Sequence, residues 1–227
     1  MTVLAAHQPN YLPWLGYFDK MRRADVFVLL DAVQYPRGQS VANRNRIRTA
    51  QGELMLTVPV SVPKGQEGKA RYDEVSFADE KWKKKHLRSI EQAYAQAPYF
   101  GRLFPELARI VEPARSFCDM NVELIRWHAE RLGIATRLVR MSELDGVAGR
   151  KSELVVALCQ RLGADVYLSG KGAGAYNEPE LLAANGVQLR YQEFEHPVYP
   201  QTGEGFVPNL AALDALFNCG GWPASLG

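Results

Sequence analysis

Val3-Leu4-Ala5-Ala6-His7-Gln8-Pro9-Asn10 opens the chain, and after the segment Leu12 to Arg23 comes Val26-Phe27-Val28-Leu29-Leu30. The first apolar run ends where Pro9 removes a backbone donor and holds Gln8 extended, which closes a strand. Leu12, Leu15, Phe18 and Met21 then recur at helical spacing. Pro13 suits a first helical turn, where its missing N–H costs nothing. Val26 to Leu30 is continuously apolar, the pattern of a strand buried on both faces. Strand, turn, helix and strand within about thirty residues predict a parallel βαβ unit.

Working outward, Gln34 to Arg48 is polar, and Leu54 to Val62 alternates as a strand that Pro59 limits to an edge or a bulge. Helical patterns fill 80–96, 99–112 and 116–132. Thr136 to Arg140 is strand-like, 150–162 is an amphipathic helix and Asp165 to Ser169 a buried strand. Glu178 to Asn185 reads as a helix closed at Gly186, Val187 to Phe194 as a strand, and Asn209 to Phe217 as a short helix. The expectation is an α/β fold, a mostly parallel sheet built from βαβ units. It would form one domain over 1–227, with a helical block inserted at about 80–132.

The 227 residues are 47% hydrophobic, 23% charged and 10% aromatic, which excludes disorder as the main state. Roughly 70–75% of the unfolded surface should become buried at this length, so no disulfide or metal staple is required. No apolar run approaches the ~20 residues that span a bilayer. Met1-Thr2-Val3-Leu4 has no basic prefix or cleavage site, making the cytoplasm the expected location. Cys118, Cys159 and Cys219 are far apart and lack CxxC spacing, against a disulfide framework or a zinc knuckle. The first two read as core residues. The net charge of +2 hides an asymmetry, because residues 37–88 carry 12 Lys/Arg against 6 Asp/Glu. That excess steers anions but is modest for duplex DNA. It suits a phosphorylated or nucleotide-linked small molecule, or an acyl or aminoacyl carrier.

Ligands of open parallel sheets bind beyond the carboxyl ends of the strands, so polar clusters there come first. His7-Gln8-Pro9-Asn10-Tyr11 follows the first strand, and His7 is an acid/base candidate near neutral pH. Asp31 follows the second strand, with Gln34 and Tyr35 beyond it. Asn43-Arg44-Asn45-Arg46 offers guanidinium forks for phosphate or carboxylate and amides for hydroxyls. Asp31 orients a substrate or, alternatively, pairs with one of these arginines. Ser169-Gly170-Lys171-Gly172-Ala173-Gly174-Ala175-Tyr176-Asn177 follows a third strand, and its glycines let backbone amides approach an anion. It superficially matches a dinucleotide fingerprint, but the third small residue stands outside the next helix, and the P-loop spacing is wrong. Lys81, Lys84, Lys85 and Arg88 share one helical side near His86, either a solvated face or a docking surface. No His/Asp/Glu group has metal-ligand spacing, and the sequence identifies no cofactor.

The stretch from His7 through Asn10-Tyr11-Leu12-Pro13-Trp14-Leu15-Gly16-Tyr17 to Phe18 resembles the signature of the WbqC-like family. The resemblance continues through Asp31, Gln34, Tyr35, Asn43-Arg44-Asn45-Arg46-Ile47, Lys85-His86, Tyr167 to Gly170, Tyr199-Pro200-Gln201 and Asp214 to Asn218. It implies a place in bacterial surface-polysaccharide assembly of the O-antigen (lipopolysaccharide) type. It also implies positions, without roles, at His7, Asn10, Asp31, Asn43, Arg44, Asn45, Arg46, His86, Ser169 and Gln201. The opening is also similar to nucleotidylyltransferase-type domains, whose signature carries two histidines where this chain has His7 alone.

The leading expectation is a group transferase acting on a sugar nucleotide or an acyl or aminoacyl carrier. His7 and Asp31 are its catalytic candidates. Gln8, Asn10, Tyr11, Asn43, Arg44, Asn45, Arg46, Lys85, His86, Ser169, Gly170 and Gln201 are its substrate-binding candidates. The alternatives are nucleotidyl transfer or ATP-dependent activation, and a non-catalytic binding protein of the glycan pathway.

Overall fold

The computed structural model describes residues 1–36 and 40–224, apart from the side chains of Ala173, Ala175 and Tyr176. In it β1 (Val3–His7), α1 (Leu15–Arg22) and β2 (Val26–Leu29) form the expected parallel unit, with Leu4 opposite Val26 and His7 opposite Leu29. The chain then leaves the sheet for a hairpin of β3 (Arg44–Thr49) and β4 (Gly52–Thr57), and for a short pair, β5 (Val60–Ser61) with β6 (Ser76–Phe77). Three helices follow, α2 (Lys81–Tyr94), α3 (Phe100–Val111) and α4 (Phe117–Arg131), the last capped by Ser116 Oγ accepting from the Asp119 N–H. The sheet resumes with β7 (Arg137–Arg140), α5 (Lys151–Leu162), β8 (Val166–Ser169), α6 (Pro179–Ala184) and β9 (Gln188–Tyr191), and α7 (Leu213–Cys219) closes the fold.

All five sheet strands are parallel, in the order β7-β2-β1-β8-β9. Chain order therefore runs outward from β1 to one edge, returns, and runs outward to the other. The strand period of two explains the layering. Ala5, Phe27 and Leu29 face one core with α1, α4 and α7, while Leu4, Ala6, Val26 and Val28 face a second with α5 and α6. Both faces are covered, as an all-parallel sheet requires.

Three local expectations are corrected. The first helix begins at Leu15 rather than Leu12, with Pro13 before it and Leu12 at φ +43°. Long-range bonds hold that segment open: Tyr11 N–H donates to Ala42 O at 2.9 Å, and Asn45 Nδ2 donates to Leu12 O at 2.6 Å. The polar stretch up to Arg48 contains β3, which the sequence pattern conceals because only Ile47 and Arg48 of that strand are buried; Arg37, Gly38 and Gln39 lie outside the described residues. The alternating run from Leu54 to Val62 is two strands, not one, broken around Pro59, whose carbonyl instead accepts from Ala78.

Cys118 and Cys159 are buried and free, as expected for core residues. Among the described residues no helix is long and apolar enough to cross a membrane.

Candidate functional site

A cleft of about 1120 Å³ opens at the carboxyl ends of β1, β2 and β8, and His7, Gln8, Tyr17, Lys20, Ser169 and Gly170 help to line it. It sits where strand order reverses between β1 and β8, the place where open α/β sheets receive ligands.

His7 ends β1 and packs its ring 4.9 Å from that of Tyr17. Its Nδ1 lies 3.2 Å from the Gln8 carbonyl, which can only accept, so Nδ1 carries the proton and Nε2 keeps a lone pair. The same carbonyl accepts from the Tyr17 hydroxyl at 3.2 Å and from the Asn10 N–H at 2.9 Å, which fixes the turn. Burial, reinforced by the nearby Lys20 charge, lowers the imidazole to about 3, so it is neutral at ordinary pH.

Lys20 is 5% exposed, and burial lowers its ammonium to about 8. Its Nζ donates to the Ala6 carbonyl at 3.0 Å, and among the described residues no carboxylate pairs with it. The adjacent Asp19 is fully engaged by Arg22 at 2.9 Å, Arg23 at 2.8 Å and Gln192 Nε2 at 2.7 Å. A buried cation without a counterion is costly and attracts an anion. Lys171, exposed at the rim, adds a second charge to the lining.

On the opposite side Ser169 is buried, and its Oγ accepts from Asn177 Nδ2 at 3.0 Å. The glycine-rich segment is wound into 3-10 turns from Lys171 to Tyr176, rather than an open loop feeding a helix. The side chains of Ala173, Ala175 and Tyr176 lie outside the described residues. α6 is only six residues long, so the segment does not deliver a strong helix terminus to the cleft.

The remaining sequence candidates stand elsewhere. Asp31 is fully buried and pairs with neither Arg44 nor Arg46. Instead it accepts from Arg140 Nε at 2.6 Å and from the Ser142 N–H and hydroxyl at 2.9 and 2.7 Å. Arg44 and Arg46 do not line the cleft with His7. Arg46 is ion-paired with Glu53 at 2.6 Å on the hairpin surface. Asn43 donates to Val58 O at 2.9 Å, and Asn45 Oδ1 accepts from the Arg46 N–H at 2.8 Å. Asn10 is buried, and its Oδ1 has no hydrogen-bond partner among the described residues. Tyr11 places its hydroxyl 3.0 Å from His86 Nδ1, and burial lowers His86 to about 4, aided by Lys85. Lys85 and His86 line a separate groove of about 400 Å³ between α2 and β4. Gln201 is a staple: Oε1 accepts from Arg48 at 2.8 Å, and Nε2 donates to Asp214 at 2.9 Å.

Sequence reasoning missed Lys20, Tyr17 and Gln192. In a short crossover helix a lysine reads as solvated. The available signal was Gly16, Tyr17 and Lys20 at one-turn spacing just beyond the His7 turn. Among the described residues no group of three or more His, Cys, Asp and Glu side chains is placed to hold a metal.

A sequence profile described as the WbqC-like protein family matches residues 8–223. The "Uncharacterized protein Rv1507c" of Mycobacterium tuberculosis is 34% identical over 223 residues, covering 97% of this chain and 95% of that protein.

Proposed function

Because the chain belongs to the WbqC-like protein family, we propose that it is a group transferase of bacterial surface-polysaccharide biosynthesis acting on a phosphorylated or nucleotide-linked substrate. The observation that carries this reading is a neutral imidazole and a buried ammonium lining one cleft at the strand-order reversal, the ammonium with no carboxylate partner among the described residues. Lys20, with Lys171 at the rim, holds the anionic group. His7 Nε2 takes the proton from an acceptor hydroxyl or amine as that atom's electron pair attacks the transferred group. The leaving group then departs with its electron pair, as an anion that the ammonium stabilises.

His7 is a weak base in the free protein, since burial and then Lys20 hold it near 3. A bound anion compensates the Lys20 charge, the second cause of that lowering, and so raises the imidazole and makes it a stronger base. Base strength is thus coupled to substrate binding. Asp31 positions β7 through Arg140 and is not among the residues that line the cleft.

The second reading is ATP-dependent activation, favoured by the outward-and-return strand order with His7 at its centre. A thermal-shift panel of a uridine diphosphate sugar, ATP and an acyl thioester separates the readings. A ligand at a hundred times its dissociation constant stabilises by about 2.7 kcal/mol. Stabilisation by the sugar nucleotide, lost in Lys20→Met, is the expected result. Stabilisation by ATP alone favours the second reading, and no shift with either phosphate compound overturns the anion-binding cleft.

A further inference from the structure

One wall of the cleft is aromatic, and the proton and anion chemistry above does not use it. Trp14 caps the start of α1 and is 38% exposed, whereas Trp82 and Trp127 are 4% and 6% exposed. Its indole lies against the backbone of Gly16, where a Cβ would stand only 2.8 Å from Cζ3 and overlap the six-membered ring. It packs perpendicular to Phe194, with ring centroids 5.3 Å apart and planes at 87°. A β-bridge to Ala211 anchors its backbone. The ring is therefore seated against Gly16, and the partly exposed Trp14 lines the cleft together with Phe194 and Lys20. Gly16 and Lys20 are one helical turn apart, about 6 Å along α1.

The Gln192 amide nitrogen and the Tyr17 hydroxyl near this wall are already engaged. Gln192 Nε2 donates to Gly16 O at 2.9 Å and to Asp19, and the Tyr17 hydroxyl donates to Gln8 O. A partly exposed indole beside an engaged amide nitrogen and hydroxyl suits a flat heterocycle, because bases stack on aromatic side chains without needing hydrogen bonds.

We propose that Trp14, seated on Gly16, is the stacking platform for the base of a nucleoside phosphate whose phosphate is held at Lys20. The proposal rests on the anion-binding reading of the cleft and adds the ring that the same ligand must carry.

Calorimetric titration of the full chain tests it, with uridine monophosphate, adenosine monophosphate, ribose 5-phosphate, glucose 1-phosphate and the free nucleosides as probes. The nucleoside monophosphates should bind at least tenfold more tightly than ribose 5-phosphate. Trp14→Leu should erase that advantage and leave ribose 5-phosphate unchanged, while Trp14→Phe retains most of it. Equal affinity for ribose 5-phosphate and the nucleotides, or indifference of the nucleotides to Trp14→Leu, overturns the platform. So does glucose 1-phosphate binding that matches the nucleotides and falls with Trp14→Leu. Nucleosides that bind through Trp14 while Lys20→Met leaves every phosphate affinity unchanged would keep the platform and overturn the anion site. No binding by any probe overturns both.

Discussion

The cleft beside β1 and the Arg48–Asp214 region are both rich in buried polar groups, yet they differ in what those groups touch. Asp214 is fully buried and accepts from Tyr94 at 2.8 Å, Tyr199 at 2.9 Å and Gln201 at 2.9 Å. Arg48 is 8% exposed and donates to Gln201 and to the Gly205 carbonyl at 2.8 Å each, as well as to the Glu204 carbonyl. Every member of that network has its partner inside the protein, so it ties the C-terminal segment to the hairpin and has little capacity left for a ligand. At the cleft, Lys20 holds a backbone carbonyl and lies over the Phe27 ring with no carboxylate partner among the described residues, and His7 keeps Nε2 for another partner. A satisfied network stabilises; an incompletely satisfied one at an opening marks where a ligand completes it.

The largest expected effect lies in the satisfied region. Asp214→Ala leaves two hydroxyls and an amide without their acceptor, at about 1–3 kcal/mol for each unpaired group. Urea denaturation should show a loss of about 3 kcal/mol or more, and a loss below about 1 kcal/mol would mean that the network is not structural.

Lys20→Met should act in the opposite direction. The folded-state ammonium lies near 8, below its unfolded value of 10.5. Between those values the unfolded chain binds the extra proton, so wild-type stability gains from this group as pH rises from about 8 to 10.5. Below pH 8 its charge is a burden on the order of 3 kcal/mol, by the shift alone. The variant should therefore unfold at higher urea than wild type at pH 7 and lose that advantage by pH 10.5, while losing phosphate-ligand binding. A wild type as stable as the variant at pH 7 would indicate that Lys20 has a counterion.

His7 offers a smaller, spectroscopic effect. Its imidazole should stay neutral down to about pH 3 in the free protein and titrate at higher pH when a phosphate ligand is bound, as read by nitrogen chemical shifts. Because its folded value is depressed, stability from this group is present above the unfolded value of 6.5 and declines as pH falls toward 3. Titration near 6.5 without ligand would contradict its burial beside Lys20.

Arg46→Ala should do least. The Arg46–Glu53 pair is exposed, so stability should change by no more than about 0.5 kcal/mol and ligand affinity not at all. Loss of binding in this variant would blur the distinction between the two regions.

The sheet was largely legible because its strands are buried on both faces and therefore read as apolar runs: Val26 to Leu29 and Val166 to Ser169 fall inside the predicted segments. The helical spacing over 80–96, 99–112 and 116–132 was legible, and α2, α3 and α4 fall within those segments. His7, Gln8, Ser169 and Gly170 reach the cleft as strand-end reasoning expects. The Asn43–Arg46 run reads in sequence as a binding surface, since alternating amides and guanidiniums suit anions and hydroxyls. In the folded chain Asn43, Asn45 and Arg46 serve Val58, Leu12 and Glu53.

What the sequence determined by itself was periodicity and strand ends: where apolar runs require burial, and which polar residues stand just beyond them. The tertiary structure decided which polar groups find partners. That outcome depends on contacts across large chain separations, such as Asp31 with Arg140 and Gln192 with Asp19. A lysine on a helix looks the same in sequence whether water or a closed cleft surrounds it. Only packing buries Lys20 with no carboxylate partner among the described residues, and its charge then becomes chemically consequential.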